Sequence, residues 1–239
     1  MSLLSSFSSV KKIQMDWKKE CLAEISQFIK NYLLSSDDYV LFGGRAVLAY
    51  YNENAQISEY LSSLATFDYD VIPINSPHFC EKLHRSLSRF FPSFRFEIYS
   101  EDGYQRMGTE MIPEKIEQIG VNLDGRSIEF LVDAHLRKEI PKVIVTIKGL
   151  RYPSIDWIID ELDIYIRLAK EKFSDYSEEL TKIQKRSRRK EILERMITDF
   201  DLLDPEVQGI IVDECRKNGI ELITGKNICP KVKMLYDVE

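Results

Sequence analysis

Cysteine and histidine are scarce in this 239-residue chain. Its four cysteines, Cys21, Cys80, Cys215 and Cys229, are scattered, and none stands in a C-x-x-C pair. That pattern points to reduced thiols and a cytoplasmic setting. The three histidines, His78, His84 and His135, form no H-x-x-x-H spacing and no Cys/His constellation, which speaks against a zinc site. Long apolar runs are missing as well, so no membrane span is expected. The stretch Met1 to Lys12 places its basic residues after its short apolar segment rather than before it, so it does not read as a secretory leader. An excess of positive charge is also lacking: 33 Lys and Arg stand against 39 Asp and Glu, for a net charge of −6. Generic polyanion binding is thereby excluded, and any nucleic-acid contact has to come from a local basic patch. Internal repeats and low-complexity segments are absent.

Hydrophobic periodicity outlines the elements. Ile13 to Leu34 carries Trp17, Cys21, Ile25, Phe28, Ile29 and Leu33 on one helical face. Tyr39-Val40-Leu41-Phe42 reads as a short buried strand that runs through Gly43-Gly44 into a helix over Arg45 to Tyr51. Asn52 to Ala65 is polar and reads as a loop or short helix. A strand is expected at Phe67 to Ile74, an amphipathic helix at Pro77 to Phe91 stopped by Pro92, and a strand at Phe94 to Tyr99. Ser100 to Pro113, polar with Gly103 and Gly108, is expected to be a mobile loop. Lys115 to Leu123 and Arg126 to Val132 predict a hairpin around Asp124-Gly125. A short strand is expected over Val143 to Ile147. Beyond Gly149 the pattern becomes helical, with Ser154 as N-cap of the first helix and two further helices ending near Lys217. The expected fold is α+β: a mixed sheet with helices over residues 1–149, then a helical domain over 150–239.

Three features carry chemistry. Asp68 and Asp70 are two residues apart in a strand, so both carboxylates project from one face. Like charges that close repel, and a divalent cation bound between them removes the cost. Gly43-Gly44 at a helix start allows close backbone approach and offers free N–H groups to a phosphate, with Arg45 beside them. On the later strand Glu129, Leu131 and Asp133 share a face by simple alternation, so either acid is a candidate third carboxylate. A fourth feature is a basic stretch, Lys182, Lys185, Arg186, Arg188, Arg189 and Lys190, flanked by glutamates. It reads equally as a solvated helix face and as a grip for RNA or nucleotide phosphates.

The order of these motifs resembles the DNA polymerase beta-type nucleotidyltransferase superfamily, and within it the viral poly(A)-polymerase-like and AbiEii-type toxin nucleotidyltransferases. The resemblance spans residues 39 to 205 and implies a nucleotidyltransferase-like mixed sheet with helices. It also implies a nucleoside monophosphate moved from NTP, ATP first among them, to a hydroxyl, with an RNA 3′ end as acceptor and Mg²⁺ or Mn²⁺ as cofactor. By that likeness Gly43, Gly44, Arg45 and Ser154 lie on the nucleotide and Asp68 and Asp70 hold the metals. Glu129 in Ile128-Glu129-Phe130-Leu131 matches the third acid best, with Asp133 behind it. A toxin-type enzyme acting on tRNA or protein, and a non-catalytic subunit that pairs with its own copy or a protein partner, share these motifs. The long interval from Gly44 to Asp68 implies an inserted loop near Asn52 to Ser63.

Overall fold

A computed structural model of the chain describes residues 3–52, 68–107, 110–125, 127–173 and 177–217. The loop expected over Asn52 to Ala65 falls, from residue 53 on, outside the described residues. Among the described residues are six α-helices, a five-stranded sheet and a two-stranded hairpin. The chain is an α+β protein.

Helix α1 (Leu3–Leu34) is followed by β1 (Tyr39–Leu41), α2 (Gly43–Tyr50), β2 (Tyr69–Pro73) and α3 (Phe79–Phe90). Then come β3 (Arg95–Met107), β4 (Glu110–Asn122) and β5 (Ile128–Leu136). The hairpin β6 (Ile144–Ile147) and β7 (Leu150–Pro153) precedes α4 (Ile155–Phe173), α5 (Ser177–Thr198), a 3₁₀ turn at Phe200–Leu202 and α6 (Pro205–Lys217). The hairpin straddles residue 149, and one cluster of buried apolar residues runs from Ile25 in α1 to Ile211 in α6. Tyr50 of α2 donates its hydroxyl to the Pro153 carbonyl at 2.8 Å, tying the first half of the chain to the second.

The sheet order is β1-β2-β5-β4-β3. Only β2 and β5 run parallel, with Asp70 opposite Asp133; the other pairs are antiparallel. The expected mobile loop at Ser100 to Pro113 is instead the far end of a long hairpin, in which Tyr104 still pairs with Pro113. Its polar composition misled because an outlying two-stranded arm has little core to bury, so the usual apolar alternation is missing while the ladder persists. The β4–β5 connection also departs from a two-residue turn. Asn122 pairs with Ile128, and the Asn122 side chain accepts the Gly125 N–H at 2.6 Å across a wider loop.

One face of the sheet is covered by α1 and α3. Tyr69 donates its hydroxyl to the Ser26 carbonyl of α1 at 2.9 Å, and Phe28 of α1 packs on Phe90 and Phe91 at the end of α3. On the other face α2 packs against β2, and α4 and α5 pack on α2, with Glu161 of α4 reaching Arg137 after β5 and Arg189 of α5 reaching toward Asp70.

Between Ile119 and Gly120 the β4–β5 register slips: Ile119 pairs with Val132 but Gly120 pairs with Phe130. Leu131 is the extra residue of a β-bulge. Directly paired residues share a face, so Glu129 points with Val121 and Asp133 points with Gln118. Val121 and Gln118 are three residues apart on one strand and face opposite ways. The bulge therefore sends Glu129 and Asp133 to opposite faces of the sheet.

Candidate active site

Asp68, Asp70 and Asp133 converge, each half-buried, with ligand oxygens all within 4.8 Å of one another. Asp68 immediately precedes β2 and Asp70 lies two residues on, so period-2 alternation aims both the same way. Asp133 comes alongside because β5 runs parallel to β2 in that register. Glu129, the first choice for the third acid by sequence, lies elsewhere: it makes a 2.5 Å ion pair with Lys18 of α1 on the opposite face. The alternation that placed it with Asp133 is broken by the bulge at Leu131.

The Asp133 carboxyl is pushed up to about 6, first by burial and then by the negative charge of Asp70. Gln118 opposes this by donating its amide to Asp133 Oδ1 at 3.1 Å. A buried polar line lies behind Asp70. His135 Nε2 is 3.8 Å from Asp70 Oδ1, and its Nδ1 is 2.7 Å from Glu114 Oε1. Burial disfavours the charged imidazole, but hydrogen bonds to Asp70 and Glu114 outweigh it and raise the His135 pKa. Glu114 also lies 3.0 Å from Arg137 Nε, and Arg137 donates to Glu161 of α4 at 2.8 Å. The Arg137 guanidinium stands 4.7 Å over the Phe42 ring, whose edge meets His135. Sequence reasoning missed this line: His135 carries no motif spacing, and Glu114 fell beside a segment taken for loop.

Gly43 opens α2 directly against the acids. Its φ is +62°, and a Cβ there would fall inside van der Waals contact with Asp70 Oδ2 and 2.7 Å from its Cγ. No side chain caps this helix end, and the Phe42 N–H donates to the Asp70 carbonyl at 3.0 Å, which fixes the turn against β2. Gly43→Ala is expected to destabilise the chain by about 1–3 kcal/mol and to displace the Asp70 carboxylate. Thermal unfolding together with Mn²⁺ titration of the folded variant checks both. Gly44 is buried within the first turn of α2. Arg45 does not point into the cluster: its Nε donates to the Asp68 carbonyl at 2.8 Å, and its guanidinium lies 3.5 Å over the Tyr69 ring. Ser154 is buried, and its hydroxyl accepts the Trp157 N–H at 3.4 Å as the cap of α4.

The basic stretch divides on α5. Arg189 is only 8% exposed, and both Asp70 and Asp68 act electrostatically on it and on Lys185. The Arg186 guanidinium lies 3.3 Å over the Tyr165 ring. Lys190 is tied to Asp163 and Glu194, while Lys182 and Arg188 are exposed. Among the aromatic residues of this region, Tyr152 is buried in the core and Trp157 packs partly buried against it. Among the described residues no helix is long and apolar enough to cross a membrane.

No protein-family model matches the sequence, and a search of curated proteins gives no match. Among solved structures, the crystal structure of the Megavirus polyadenylate synthase aligns with a TM-score of 0.42 at 13% identity. The alignment covers 87% of this chain and 36% of that one.

Proposed function

We propose that the chain is a metal-dependent nucleotidyltransferase that moves a nucleoside monophosphate from an NTP, ATP in the first instance, to the 3′ hydroxyl of an RNA. The observation that carries this reading is the meeting of three carboxylates, from two neighbouring parallel strands, directly against the glycine that opens α2. Three hard oxygen donors with no sulfur or imidazole in the ligand set suit Mg²⁺ or Mn²⁺. The raised Asp133 carboxyl fits the same group, since a cation offsets the burial that chiefly raises it and the Asp70 repulsion that adds to it. When bound, the metal supplies charge neutralisation for the triphosphate and for the charge that develops during transfer.

The remaining work falls to the chain's own residues. The uncapped N–H groups at the start of α2 favour an anion beside the acids. Lys185 and Arg189 of α5 bring positive charge to the same place and complement phosphate oxygens. The acceptor hydroxyl oxygen bonds the α-phosphorus, the bond from that phosphorus to its bridging oxygen breaks, and pyrophosphate leaves with the electron pair. Asp133, the carboxylate contributed by β5, takes the hydroxyl proton. Gln118 and the His135–Glu114 line hold Asp133 and Asp70 in place for these roles.

Incubating the protein with each labelled NTP, Mg²⁺ or Mn²⁺ and a short RNA tests the reading. Label on the RNA is the expected result; no transfer to any acceptor, together with no metal-dependent NTP binding, overturns it. The two candidate third acids separate in the same assay. Glu129→Gln is expected to leave the rate within about twofold, because its half-buried ion pair with Lys18 lies on the face of the sheet opposite the acids. Asp133→Asn is expected to lose at least about a hundredfold, the scale of a general base's contribution.

A further inference from the structure

The face of the sheet that carries the acids does not end at Asp133. One row of paired residues crosses it: Asp70 on β2, Asp133 on β5, Gln118 on β4 and Tyr99 on β3. The next row on that face is Phe130, Gly120 and Glu97, and beyond it come Ile128, Asn122 and Arg95. These two rows, with Tyr99 of the row before them, form a shallow open depression of about 60 Å³ lined by Arg95, Glu97, Tyr99, Gly120, Asn122 and Ile128. Its floor is Gly120, where a Cβ would lie 2.5 Å from Ile128 Cγ2 and 3.1 Å from Tyr99 Cε2. Any side chain there fills the depression.

The walls are open and mixed, with Ile128 and the neighbouring Phe130 apolar and with Arg95, Glu97 and Asn122 polar. Phe130 is 42% and Ile128 40% exposed, and the Tyr99 ring meets the Phe130 ring edge-on at 5.6 Å. The bulge at Leu131 is what turns Ile128 and Phe130 toward the acid face while Glu129 leaves it. At the rim stand the Asn122 side chain and the exposed Arg95, whose Nε meets Glu97 at 2.7 Å. Gly120 is two residues along β4 from Gln118, about 7 Å, and Gln118 donates to Asp133. The depression therefore begins within one nucleotide's reach of the carboxylate on the acceptor side, on the opposite flank from Gly43.

We propose that the open rings at this depression, Tyr99 and Phe130, form the acceptor subsite, stacking a nucleobase of a single-stranded RNA end so that its terminal hydroxyl reaches Asp133. The proposal rests on the nucleotidyl-transfer reading and adds what recognises the acceptor. Aromatic faces take any base by stacking. The Asn122 amide N–H groups are left to donate to a base edge, its oxygen being engaged by the Gly125 N–H, and the exposed Arg95 exchanges its Glu97 partner for a backbone phosphate. A protein acceptor would need a broader apolar contact than a depression this small supplies.

The test uses the full chain and a short fluorescein-labelled oligoribonucleotide, with anisotropy for binding and labelled NTP for transfer. Tyr99→Leu and Phe130→Leu keep apolar bulk but remove the stacking rings. Each is expected to raise the Kd and the acceptor KM about tenfold, the scale of one lost base–aromatic stack, with the NTP KM unchanged and the thermal midpoint preserved. Asp70→Asn is expected to keep RNA affinity while losing transfer, so binding and chemistry are read separately. If wild type transfers label but both leucine variants bind and use RNA normally, the acceptor-subsite proposal falls and the nucleotidyl-transfer reading stands. Failure of the wild type to bind any oligoribonucleotide, or transfer to a protein or small molecule unaffected by these variants, also overturns it.

Discussion

Asp70→Asn is expected, on the proposed nucleotidyl-transfer reading, to reduce NTP-dependent labelling of RNA by at least about a thousandfold, because that reading makes Asp70 a metal ligand whose loss forfeits several kcal/mol of charge stabilisation. Asn keeps the volume beside Gly43 and still presents an oxygen toward His135, so the fold and the Phe42–Asp70 backbone bond are preserved. The variant should show a normal circular dichroism spectrum and weakened Mn²⁺ binding by calorimetry. Wild-type rates in Asp70→Asn would sink the metal-dependent reading.

The second large effect is on stability. In metal-free protein, Asp133→Asn is expected to raise the stability at pH 7 by roughly 2–3 kcal/mol, from a carboxyl moved from 3.8 to about 6. The sign follows from proton binding. The folded chain holds the Asp133 proton more tightly than the unfolded chain, so stability falls as pH rises between about 4 and about 6 and the penalty is complete above that window. Asn cannot ionise and still accepts the Gln118 amide hydrogen bond. The gain should therefore vanish below about pH 4 and reach its full size at neutral pH. Denaturant melts of both proteins across that range, in chelator, measure it. An equal difference between the two proteins at every pH would show that the carboxyl is not the source. Saturating Mg²⁺ should narrow the gap by stabilising only the chain that keeps its third acid. A residue that costs stability when the metal is absent and is needed when it is present marks a site kept for chemistry.

Much of the architecture is legible from pattern alone. The apolar stripe of α1, the strand–Gly-Gly–helix passage at Tyr39 to Tyr50, and the cap at Ser154 are local signals, and local geometry answers to them. The Asp68/Asp70 pair is legible for the same reason: two residues apart on a strand means one face, whatever the strand packs against. The long β3–β4 arm was not legible, because a ribbon with little core to bury does not show an apolar period. Its pairing comes from the ladder between Arg95–Met107 and Glu110–Asn122, which depends on residues distant along the chain.

By itself the sequence determined an α+β chain with a glycine-opened helix next to a pair of strand carboxylates, since these depend only on residue type and short-range spacing. The tertiary structure decided which third acid joins them. Parallel pairing of β2 with β5 sets Asp133 opposite Asp70, and one extra residue, Leu131, reverses the facing of everything before it. A single inserted residue is invisible in a period-2 reading because its effect exists only relative to the partner strand. The same holds for His135, Glu114 and Arg189. They come from three separate elements and meet at the acids only when β4 pairs with β5 and α5 packs on α2, because burial near a charge depends on the fold as a whole.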